Sequence, residues 1–189
     1  MAFSDIVFRR LEILILRLKD SPIPIAPNSP FGKVPIGWGD TFLKGQFRGH
    51  VNGPPAGPDD FGFKDLLGTK RIEASEIDGS TTVGELADAI VAKSKIEDAE
   101  AYEAAMGTEV LGWLRTRIAQ LAQPPLDRNN VLPDRRVDSF LPDPGDVTRL
   151  LEGLNQVFQK YLIGGPVQRA DLNATVAEAR DEIVLHMLA

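Results

Sequence analysis

Between Glu97 and Pro125 the chain reads EDAEAYEAAMGTEVLGWLRTRIAQLAQPP, and the spacing of its apolar residues decides the fold class. Tyr102, Met106, Val110, Trp113, Leu114, Ile118 and Leu121 recur at steps of three and four, the period of one helical face. Gln123-Pro124-Pro125 stops the pattern, because proline lacks the backbone donor a helix needs. The spacing predicts a helix over about 97–122.

The same period continues downstream. Val147, Leu150, Leu151, Leu154, Val157, Phe158 and Tyr161 predict a helix from near Asp146 to the Gly164-Gly165 pair that precedes Pro166. Leu172, Val176, Ala179, Ile183 and Met187 predict a last helix over about 170–188. Upstream, Thr82 and Glu85 have the spacing of a capping box, with Val83, Leu86, Ile90 and Val91 as the apolar face that follows. Residues 123–145 read as a polar, proline-punctuated connector. Its Arg128, Arg135 and Arg136 are interleaved with Asp127, Asp134 and Asp138, the pattern of a solvated loop with local ion pairs.

Residues 1–20 predict one more helix. Phe3, Val7, Leu11, Leu14 and Leu18 make a stripe, widened by Phe8 and Ile15. Ile6, Ile13 and Leu16 lie outside that stripe, so the helix carries apolar groups on two sides. The stretch 21–80 is rich in proline and glycine yet contains Trp38, Phe42, Leu43, Phe47 and other large apolar residues. Such a segment packs over a surface, its own or a partner's. Alternation in 41–51 leaves room for a short β-hairpin. The expected architecture is therefore mainly α: a bundle of about four to five helices with a long, largely irregular N-terminal arm. Residues 1–80 would form the helix and arm, and residues 81–189 the helical domain.

Composition narrows the function. The 189 residues include no cysteine, which excludes disulfides, thiolate metal sites and a cysteine nucleophile. A net charge of −6 argues against nucleic acid or an acidic membrane as partner. Residues 1–71 carry 10 basic and 7 acidic groups, net +3, whereas residues 72–189 carry 11 and 20, net −9. An arm of one sign can lie across a body of the other, in the same chain or a neighbour. The opening residues lack the order of a secretory leader, so a cytoplasmic setting is expected.

Few residues suggest chemistry. His186 follows Glu182 by four positions and Glu178 by eight, on one side of the predicted last helix, but a solvated acidic face ending in a histidine is the simpler account. His50 lies among turn residues, where Asp40, Asp59 or Asp60 could complete an acid–base pair. No nucleophile elbow, dinucleotide fingerprint or P-loop occurs. The expectation is a non-catalytic structural or adaptor subunit, oligomeric, needing no metal or cofactor, with a protein partner (self or another subunit). Its contact residues would be Phe3, Ile6, Ile13, Leu16, Trp38, Phe42 and Phe47. The alternative is a small-molecule binder or enzyme whose pocket lies between the helices and residues 31–67, with Asp40, His50, Glu182 and His186 as its polar groups.

Overall fold

The computed structural model describes residues 2–53 and 62–188. The protein is mainly helical, with eight helices and no strands among those residues. These are α1 (Phe3–Lys19), α2, α3 (Lys64–Leu67), α4 (Val83–Lys93), α5 (Ala99–Leu121), α6 (Val137–Phe140), α7 (Pro144–Phe158) and α8 (Val176–Leu188). The winding labelled α2 runs continuously through Asp40–Phe42, a π-helical Leu43–Phe47 and Arg48–Asn52. Among the described residues no helix is long and apolar enough to cross a membrane. The chain divides into two compact units, Met1–Ala99 and Glu100–Ala189.

In the first unit α1 packs on α4, and α4 on α3. The region expected as an arm closes this unit rather than extending from it. Phe31, Ile36, Leu43, Phe47, Val51, Phe63, Leu66, Leu67, Ile72 and Ile77 are all buried in their own chain. Each such burial contributes roughly 2 kcal/mol, more than the ordering of an irregular backbone segment without a core could offset. Residues 54–61, with their three prolines and with Asp59, Asp60 and Phe61, lie outside the described residues.

Backbone hydrogen bonds hold the proline-rich stretch to the start of α4. Phe31 N donates to Thr81 O at 3.0 Å, Gly32 N to Gly79 O at 2.8 Å, Val83 N to Ser29 O at 3.0 Å and Gly84 N to Pro27 O at 2.8 Å. Two glycines permit this approach: a Cβ on Gly32 would stand 2.7 Å from Gly79 O, and one on Gly84 2.9 Å from Pro27 O. The expected division at residue 80 therefore falls inside the first unit. Helix α4 belongs with α1, not with the helices that follow.

The hairpin expected at 41–51 is helical instead. Leu43, Phe47 and Val51 are four apart and all buried, a helical register that outweighs the local alternation. Residues 82–85 form the capping box that the sequence announces, with Glu85 N donating to Thr82 Oγ1 at 3.2 Å and Thr82 N to Glu85 Oε2 at 2.8 Å.

The second unit is built on α5, whose buried seam is Tyr102, Met106, Val110, Leu114 and Ile118. Helix α7 differs from expectation at both ends. It starts at Pro144 under an Asp143 cap and stops at Phe158, before the glycine pair. Beyond Phe158 the chain makes one tightened turn, Tyr161 N and Leu162 N both donating to Phe158 O, and both side chains are buried. Helix α8 starts at Val176 rather than near 170. Thr175 and Glu178 form a second capping box, and a 3-10 turn, Arg169–Leu172, occupies the stretch before it. The connector contributes α6 and buried Val131, Val137 and Leu141. Val137 N donates to Ala174 O, and Val176 N to Arg135 O, both at 3.0 Å.

Candidate functional site

The loop from Phe31 to Asp40 displays the most concentrated aromatic surface in the first unit. Trp38 stacks on Phe31 at 6.2 Å and meets Phe42 and Phe47 at 4.9 Å each. Phe31 and Phe47 are fully buried, whereas Trp38 and Phe42 are half-buried and their outer edges reach solvent. In the same loop Val34 is 91% exposed.

Three sets of bonds hold this loop. Trp38 N donates to Phe31 O and Gly37 N to Lys33 O, both at 2.8 Å. Lys19, at the end of α1, donates from Nζ to Ile36 O at 2.9 Å. Asp40 Oδ1 accepts from Gly79 N at 2.8 Å, and its Oδ2 pairs with Lys44 Nζ at 3.2 Å. The aromatic edge is thus presented on an ordered backbone.

The sequence-derived contact residues separate on this structure. Trp38, Phe42, Ile13 and Leu16 are half-buried. Phe3, Ile6 and Phe47 are buried at 7%, 0% and 0% exposure, so they are core residues of their own unit and offer no contact surface. The reason is register: Ile6 joins Phe3, Val7 and Arg10 on the inward side of α1, and Phe47 lies under Trp38.

The candidate acid–base groups are not assembled either. His50 is exposed on α2, and both carboxylate oxygens of Asp40 already have partners. On α8, Glu178, Glu182 and His186 each have a separate setting. Glu178 Oε2 accepts from Thr175 N at 2.9 Å and Thr175 Oγ1 at 2.8 Å, and those bonds, backbone first, hold its carboxyl below the usual value. Glu182 is exposed. His186 Nε2 lies 3.2 Å from Asp171 Oδ2, which also accepts from Gln168 N at 2.7 Å. That pair ties α8 to the 3-10 turn. Among the described residues no group of three histidine or carboxylate side chains could hold a metal ion.

In the connector, Arg136 Nη2 pairs with Asp138 at 2.9 Å and donates to Asn173 Oδ1 at 2.7 Å. The hydrogen bond from Arg136, then its charge, lowers the Asp138 carboxyl. Asp138 and Asn173 line a hollow of 490 Å³ together with Pro142 and Arg169.

One constellation escaped the sequence reading. Arg10 is 1% exposed; its Nη1 and Nη2 grip the two Asp65 oxygens at 2.8 and 2.9 Å, and Nη2 also donates to Gly62 O at 3.1 Å. The guanidinium lies 4.8 Å from the centre of the Phe63 ring. The signal was register: position 10 is three after Val7 and four before Leu14, so an arginine there must enter the core with its own counter-ion. No family model, curated protein or solved structure matches this chain.

Proposed function

We propose that the chain is a non-catalytic assembly subunit that engages a protein partner through the Trp38 surface of its first unit. The observation that carries this reading is the half-buried pair Trp38 and Phe42, held by a hydrogen-bonded loop that also carries the exposed Val34. Rigid aromatic groups next to exposed aliphatic ones are the composition of interface hot spots, since they add apolar contact with little further ordering entropy. Ile13 and Leu16 extend the contact set along α1 in this reading.

Affinity capture with chemical cross-linking, comparing the native chain with Val34→Asp and Phe42→Gln, tests it. Val34 makes almost no contact with its own chain, so Val34→Asp keeps the far-ultraviolet spectrum while the native cross-linked partner is lost. Recovery of the same partner by both variants would sink the proposal.

A further inference from the structure

Helix α5 has a second face that its own unit leaves open. Ala104, Gly107, Thr108, Leu111 and Gly112 line the floor of a groove of 880 Å³, with Glu100 and Glu103 toward one end and Arg115 at the other, and the ion-paired Arg180 and Asp181 of α8 on its wall. Helix α8 supplies the facing wall, where Val184 is buried and Leu185 is 56% exposed. A Cβ added at Gly112 would meet nothing within 4 Å, whereas one at Gly107 would lie 3.7 Å from Cδ of Arg180. The charges at the two ends lack ionic partners. Glu100 forms no ion pair among the described residues, and Arg115 donates only to the carbonyls of Arg128 at 3.2 Å and Asn129 at 3.3 Å.

This face is its own complement. A second α5 laid antiparallel in the groove, with the two-fold axis passing between Gly107 and Thr108, sets Glu100 against Arg115 of the partner subunit. Ala104 then faces Leu111 of the partner subunit, and Gly107 faces Thr108 of the partner subunit. Every pair occurs twice, as a two-fold interface requires. Opposite charges meet at both ends, and a large apolar side chain meets a small one. The α8 wall, with Leu185, covers the partner's helix from the side. A uniformly acidic or basic helix would meet a like charge at one end of the groove, so the charge order selects this chain over such partners.

We infer that the α5–α8 groove is the docking surface for a second copy of this chain, forming an antiparallel homodimer about Gly107 and Thr108. This goes beyond the Trp38 reading and stands without it, because the two surfaces involve different units.

Light scattering over a concentration series, on the full chain and its charge-swap variants, tests the inference. The native chain is expected to approach twice 20.6 kDa as concentration rises. Glu100→Arg and Arg115→Glu, made singly, turn both end pairs repulsive and weaken the dimer about tenfold. The two changes together on one chain restore opposite charges and recover native dimerisation. These positions are on the surface, so circular dichroism should show folded protein throughout. A single-chain mass at every concentration would overturn the inference. So would a dimer on which the double swap fails to rescue the single ones, or one that Val34→Asp dissociates while the charge swaps do nothing.

Discussion

Arg10 shows how much one side chain can determine. Its guanidinium is removed from water and held by both Asp65 oxygens, a carbonyl and a ring face. Taking away one member leaves an uncompensated charge in the core. Arg10→Met should therefore lower the unfolding free energy by about 3 kcal/mol, read as a shift in urea midpoint. The double variant Arg10→Met with Asp65→Leu, which removes both charges, should recover much of the loss. Gly84 supplies a second test at this scale. Replacing a glycine by alanine within a helix ordinarily stabilises, by up to about 1 kcal/mol in the interior and less in the first turn, where Gly84 lies. Here the new methyl would press on Pro27 O at 2.9 Å, so Gly84→Ala should destabilise. A raised melting temperature would show that the proline-rich stretch does not lie against α4.

At the scale of elements, helix starts were legible in part and helix ends less so. Thr82 and Glu85 are recognisable as a cap because a clear apolar period follows them, whereas Thr175 and Glu178, with the same spacing, fall inside a longer predicted helix. The period of Leu172 and Val176 ran straight through the true boundary. Thr82→Ala and Thr175→Ala should each cost about 1 kcal/mol, measurable by denaturant titration. The stop of α7 at Phe158 was not legible, because Tyr161 and Leu162 keep the helical period while their backbone makes one tightened turn on Phe158 O. Asp78 marks another turn the pattern concealed. It accepts from Ser80 Oγ at 2.6 Å, from Ser80 N at 2.7 Å and from Thr81 N at 3.1 Å, and these bonds lower its carboxyl.

The carboxylates of both units act together on the whole molecule. Asp78, Asp138 and Glu178 all lie below their ordinary values of 3.8 and 4.5 in the folded chain. Burial alone would raise Glu76, but the hydrogen bonds from Lys93 and Glu73 N, with the Lys93 charge, bring it down as well. The unfolded chain then binds more protons in acid, so the stability these groups supply is complete above about pH 4.5 and drains as pH falls through the lowered values. Urea midpoints measured from pH 7 to about pH 3 should fall. The fall should be shallower in a variant carrying Asp78→Asn, Asp138→Asn and Glu178→Gln. The arrangement of units makes its own prediction. A fragment of residues 81–189 exposes Leu86 and Ile90 of α4, which belong to the core of the first unit. Amide exchange in 83–93 of that fragment should be fast, whereas the α5 seam stays protected.

Local pattern determined the helical class, the position of α5, the first capping box and the main apolar stripe of α1, because each depends on residues within a turn or two of one another. Tertiary structure alone decided that residues 21–53 and 62–80 close onto their own chain, that α4 joins the first unit, that Arg10 is a core residue, and that Trp38 is half-buried while Phe47 is fully buried. Those outcomes depend on contacts between residues tens of positions apart, such as Arg10 with Asp65 or Gly32 with Gly79, and periodicity within a short window carries no record of them.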